Sequence, residues 1–190
     1  PRYLVVDNKP VLHIYRMDLL EQTFGSVAEC NKLMTFMRED ILNYGFDGII
    51  ILCQTGDFSD TNIKKFTQMG ADGVMAYAWG AESAEPDWLM DKFDKAYETV
   101  KKQNSHLYIV PTLGTGRNIM GWRNVRTPLA TVEQHNSVLD YFKPYVAKQN
   151  IPGNMVYELL HNNRTIGADD PAIGESIKTL YASFCLGEIV

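Results

Sequence analysis

The chain has no run of basic residues and no basic-aromatic stripe, so the electrostatic footprint that nucleic acid requires is missing. Its longest apolar stretches, such as "GIIILC" at 48–53, fall far short of a bilayer span. Cysteine is scarce. Cys30, Cys53 and Cys185 are widely separated and form no C-x-x-C, which argues against both a disulfide scaffold and a thiolate metal site. No two histidines have helical or loop spacing for a metal, and no cofactor is expected. A G-x-S-x-G elbow is absent, as are G-x-G-x-x-G and G-x-x-x-x-G-K-[ST] after the first strand. A serine hydrolase and a nucleotide-binding Rossmann domain therefore lack their main support.

What remains has the composition of a folded protein. Of 190 residues, 45% are hydrophobic and 22% charged, with a net charge of -5, which fits one domain over 1–190 with a sizeable core. "YLVV" and "PVLHIY" flank "DNK", a hairpin signature. Periodic apolar positions predict helices over 26–44, with Ser26 as N-cap, and near 60–69, 86–104, 131–149 and 171–185. Between them lie the apolar runs "IIILCQ", "VMAYAW", "LYIVPTLG" and "NMVYELL". Twin G-x-D-G segments at Gly45–Gly48 and Gly70–Gly73 read as turns from helix to strand.

Five strand–helix units with near-continuous apolar strands imply an α/β fold with a parallel sheet covered on both faces. Two architectures fit. One is part of a (β/α)8 TIM-type barrel, which usually needs about 250 residues. The other is a five-stranded flavodoxin-like doubly wound sheet.

In either architecture, functional groups gather beyond the carboxyl ends of the strands. Those positions hold Tyr15, Arg16 and Asp18, then Gln54, Asp57 and Asp60, then Tyr77, Trp79, Glu82, Glu85 and Asp87. The segment "TLGTGRNIMGWRNVRTP" follows the fourth strand, and Glu158, His161 and Asn162 follow the fifth. Aromatic faces stack on sugar C–H faces, and carboxylates and amides bond hydroxyls, so this rim suits a glycan. Glycoside hydrolysis needs two carboxyl groups about 5–9.5 Å apart. Glu158 and Glu82 are the candidates, with Asp57 in reserve. Cys53 is expected to be buried and inert, His13 to pack inside its strand, His106 to be structural and His135 to be exposed.

Three segments together resemble a known group. "YLVVDNKPVLHIYR" is similar to the Y-x-x-V-D-G-K-P-V opening of WbsX-like proteins and of the related barrels of glycoside hydrolase families 99 and 71. "GWRNVRTP" resembles the G-W-D-N-T-P-R segment of that group, and "YELLHNNRTI" stands where the group has N-E-W-x-E-G-x-x-I/L. The resemblance implies a (β/α)8 barrel whose opening strands precede this chain, acting on mannose-type or related sugars. It adds Trp122, Asn124 and Arg126 to a sugar site with Tyr15, Arg16, Trp79, His161 and Asn162. It also implies self-association, or association with the missing barrel segment, through an unclosed sheet edge. Aligned on His161 and Ile166, Leu159 and Asn162 fall at the group's two glutamates, so the alternative is a sugar-binding relative without catalysis. A flavodoxin-like domain binding a small molecule or a protein is the third reading.

Overall fold

The Asp7–Asn8 turn sets the first strand pairing. In the computed structural model, which describes residues 3–76, 86–103, 105–112, 130–148 and 175, β1 (Val5–Val6) runs antiparallel to β2 (Lys9–Ile14). Val6 stands opposite Lys9, leaving a two-residue connection in which Asp7 and Asn8 have φ of 48° and 55°. Both are left-handed, as a primed hairpin turn requires. Asp and Asn tolerate that region better than other side-chain-bearing residues.

A helix that apolar periodicity did not single out comes next. α1 (Met17–Phe24) is eight residues long and closes on Gly25, whose N–H donates to the Glu21 carbonyl at 2.7 Å. The helix expected over 26–44 is divided. α2 (Val27–Asp40) starts where Ser26 Oγ accepts from the Glu29 N–H at 3.2 Å, and a 3-10 turn, Ile41–Tyr44, follows it. β3 (Ile50–Gln54), α3 (Asp60–Met69), β4 (Gly73–Met75), α4 (Pro86–Lys102), β5 (Tyr108–Val110) and α5 (Val132–Lys148) complete the described elements. α5 opens on a reciprocal cap, in which the Thr131 N–H donates to Gln134 Oε1 and the Gln134 N–H donates to Thr131 Oγ1. The strand and helix expected beyond residue 150 lie outside the described residues, Glu175 excepted.

The result is an α/β fold whose five-stranded sheet has the order β1-β2-β3-β4-β5, antiparallel only at the hairpin. The four parallel strands sit in sequential order. Among the described strands there is no reversal of the kind that marks the switch point of a doubly wound sheet.

Register determines which face each side chain occupies. Ile14 lies beside Cys53, Cys53 beside Val74, and Val74 beside Ile109. On this face Ile51, Cys53, Val74 and Ile109 meet buried residues from every described helix, including Met34, Ile63, Phe66, Phe93 and Phe142. α5 is clasped to α4 by polar bonds as well, since the Tyr141 and Tyr145 hydroxyls donate to the Asp94 carboxylate at 2.6 and 3.1 Å.

The opposite face carries a smaller cluster of Val6, Val11, Ile50 and Leu52, with Leu4, Met75, Tyr108 and Val110 against it. Among the described residues, α5 reaches this second cluster through Val146, and the other helices pack on the first. Ile50 and Leu52 of β3 are buried on this second face by side chains of the hairpin, of the neighbouring strands and of α5. His13 corrects a further expectation. It is exposed, because its register beside Leu52 turns it to the face away from the main helical core. His135 is the converse case, 7% exposed where a solvated helix face was expected, and burial lowers its pKa.

The G-x-D-G turns join the layers at the amino ends of the strands. Gly45 and Gly70 adopt φ of 81° and 90°, closing their helices in the left-handed region. Asp72 of the second turn accepts the Ile51 N–H at 2.7 Å and pairs with Arg38 at 2.8 Å. Arg38 also donates to the Ile49 and Gly70 carbonyls. His106 Nε2 donates to the Ala71 carbonyl at 2.8 Å, which is a structural role as expected.

Candidate functional site

At the carboxyl ends of β2 and β3 the chain leaves the sheet through two short polar loops, and a cleft of 360 Å³ opens between them. One wall is Tyr15, Arg16 and Asp18 running into α1. The other is Gln54, Thr55 and Asp57 running into α3, with Glu21 and Lys65 from the two helices.

Each loop is held by bonds to itself. Arg16 forms a two-pronged pair with Asp18, Nε donating to Oδ1 and Nη2 to Oδ2. This contact holds the Asp18 carboxyl down at about 2 and raises the Arg16 pKa. In the second loop Thr55 Oγ1 accepts the Asp57 N–H and donates to the Asp57 carbonyl. The Asp57 carboxylate then accepts from the Ser59 N–H, Ser59 Oγ and Asn62 Nδ2, at 2.9, 3.1 and 2.9 Å. With Ser59 Oγ accepting from the Asn62 N–H, these bonds fix the start of α3. One pair crosses between helices: Lys65 Nζ meets Glu21 Oε2 at 2.7 Å.

Tyr15 and Gln54 complete the cleft. The Tyr15 ring is 58% exposed at the cleft. Gln54 ends the otherwise apolar β3, and its Oε1 is buried without a hydrogen-bond partner among the described residues. The register puts Gln54 beside Met75 and on the face away from the helical core.

Of the residues predicted for the site, Tyr15 and Arg16 are brought to this cleft, together with the reserve carboxylate Asp57. Glu82, Trp79, Trp122, Asn124, Arg126, Glu158, His161 and Asn162 lie outside the described residues. Sequence reasoning placed Gln54 on the rim without giving it a role, and did not select Glu21, Asn62 or Lys65. Gln54 had a readable signal as the one polar residue ending "IIILCQ". Glu21 and Lys65 had none, being 44 positions apart and joined only through packing of α1 and α3.

A smaller cavity of 280 Å³ adjoins the cleft across Gly56 and Asp57 and is edged by Lys92 and Lys95 of α4. A larger one, 440 Å³, lies at the amino ends of the strands beside Arg38, Asp72 and Tyr108. Its Arg38–Asp72 pair is committed to the turns described above, and parallel α/β folds build their chemistry at the other end. Cys53 is fully buried, and burial pushes its thiol up to about 12, so it holds no nucleophilic thiolate near neutral pH. Among the described residues no group of three His, Cys, Asp or Glu side chains could hold a metal ion. No described helix is long and apolar enough to cross a membrane.

Fold and site together define an α/β protein with a mostly parallel sheet and a polar cleft at the carboxyl ends of its strands. No family model, curated protein or solved structure matches the chain.

Proposed function

We propose that this chain forms an arc of a (β/α)8-type barrel and that the carboxyl rim of its strands binds a glycan. Sequential parallel strands, with a main core built by all the described helices on one face, support the barrel reading. The observation that carries the glycan reading is the exposed Tyr15 ring on the wall of a cleft that it shares with carboxylates, amides, paired cations and the apolar Met17 and Phe66. An apolar ring face beside hydroxyl-bonding groups is what a pyranose needs.

Glu158 and Glu82 are assigned as the acid pair of a glycoside hydrolase. Trp79, Trp122, Asn124, Arg126, His161 and Asn162 extend the sugar site around the rim. Release of reducing ends from mannose-type oligosaccharides tests this assignment. Glu158→Gln and Glu82→Gln should each lower kcat by at least about 100-fold, the share a general acid or base supplies. Turnover unchanged in both variants would refute the pair.

Leu159 and Asn162, at positions where the resembling group has glutamates, favour a second reading in which the rim binds sugar without cleaving it. Calorimetric binding with no release of reducing ends would select that reading.

A further inference from the structure

We infer that the cavity edged by Lys92 and Lys95 is a subsite for an anionic group, and that the glycan bound on the rim is acidic. The inference rests on the glycan reading and names the class of sugar. This cavity, 280 Å³, opens between the loop 56–59, Ala76 after β4, and a stripe of α4 made by Lys92, Lys95, Ala96 and Thr99. It shares Gly56 and Asp57 with the Tyr15 cleft, so one oligosaccharide can span the two. A Cβ at Gly56 would meet nothing within 4 Å, so the space beside this junction is open.

The two cavities differ in charge. The cleft sets Asp18, Glu21 and Asp57 against Arg16 and Lys65, and each of those cations already contacts a carboxylate. The neighbouring cavity sets two lysines against Asp57 alone. The Asp57 carboxylate is engaged by Ser59 and Asn62 and pairs with neither lysine. Lys92 meets no carboxylate among the described residues, and its Nζ lies 5.4 Å from the centre of the Trp88 ring. Lys95 meets Asp91 at 2.7 Å, but both side chains are exposed, and such a pair is worth little. Both ammonium groups lean one turn back toward the start of α4, the end of the helix that lies at the carboxyl rim. A carboxylate or sulfate on one sugar would meet these groups. Its neutral neighbour would lie against Tyr15, where an anion is disfavoured.

The test is NMR titration of the full chain with glucuronosyl-β-1,2-mannose and with its neutral twin, glucosyl-β-1,2-mannose. The two sugars differ only in a carboxylate that replaces a hydroxymethyl group. At about 20 mM salt the acidic sugar should bind at least about fivefold more tightly, and this preference should shrink at about 150 mM salt. The double variant Lys92→Gln/Lys95→Gln should lose the preference and bind the neutral twin as the wild type does. Both side chains are exposed, so the fold should be unaffected. Gly56→Leu fills the open junction and should weaken binding of both sugars at least about tenfold. The same disaccharide sulfated on its glucose tells the two acid groups apart, since the form bound more tightly carries the substituent the cavity takes. Equal affinity of the wild type for the acidic and neutral sugars, or a preference that survives in the double variant, would overturn the subsite. Unaltered binding by Gly56→Leu would overturn the span across the junction. If the wild type bound none of these sugars, the glycan reading would fail and the subsite with it, a result distinct from equal binding.

Discussion

The two ends of the parallel strands are built by different rules. At the amino end, hydrogen bonds join distant parts of the chain. Arg38 reaches Gly70 and Asp72, Asp72 reaches Ile51, His106 reaches Ala71, and Asn8 reaches Gly45. At the carboxyl end most bonds stay within one loop: Arg16 with Asp18, Thr55 with Asp57, Asp57 with Ser59 and Asn62. Lys65 with Glu21, Lys102 with Asp60, Thr112 with Ala76, and the Thr55 N–H with the Met75 carbonyl are long-range exceptions. One end is thus stitched across the sheet. The other is a set of separately stabilised loops that leaves Tyr15 exposed and Gln54 unpaired, and a rim built so can change its loops without loosening the sheet.

The largest effect should come from cutting the amino-end stitching. Arg38→Ala removes three bonds to other segments and leaves the Asp72 carboxylate without its cation. The expected loss is about 2–3 kcal/mol, measured by urea unfolding. Next comes Gly73→Ala. A Cβ at Gly73 would lie 2.5 Å from the Tyr108 ring and 3.0 Å from its carbonyl oxygen. Overpacking of this kind costs about 1–3 kcal/mol, again read as a shift in the urea midpoint. At the other end, Asp57→Ala removes the bonds that start α3 and should cost only about 1 kcal/mol. If Asp57→Ala proved as damaging as Arg38→Ala, the contrast between the ends would be lost.

The smallest effect is a pH dependence at Arg16–Asp18. Asp18 titrates at about 2 in the folded chain against an ordinary 3.8, so the folded state prefers the carboxylate. The stabilisation is in force above pH 3.8 and is lost as pH falls through about 2. The difference in Tm between wild type and Asp18→Asn should therefore shrink over that interval. A constant difference would mean the pair does not form.

Features that depend on neighbours in sequence were readable in advance. The DNK turn, the Ser26 cap, the helix ending at Gly70 and the paired G-x-D-G turns follow from local backbone chemistry. α1 escaped notice because it is short and two of its apolar side chains, Leu19 and Phe24, remain exposed. The environments of His13 and His135 depended on strand register and helix rotation, which single-sequence periodicity does not specify at one position. The same limit hid the cleft. Tyr15, Arg16 and Asp57 could be located at strand ends, but the meeting of Glu21 with Lys65 is a product of tertiary packing.

The central claim is that the rim at the carboxyl ends of β2 and β3, and not the larger cavity at the amino ends, takes a sugar. Two-dimensional NMR of the isotopically labelled chain, titrated with α-mannobiose to about 10 mM, reads both ends at once and detects dissociation constants in the millimolar range. The account predicts movement of the Tyr15, Gly56 and Asn62 backbone signals, with Gly48 and Asp72 unmoved. Shifts confined to Gly48 and Asp72, or none at either end, would contradict it.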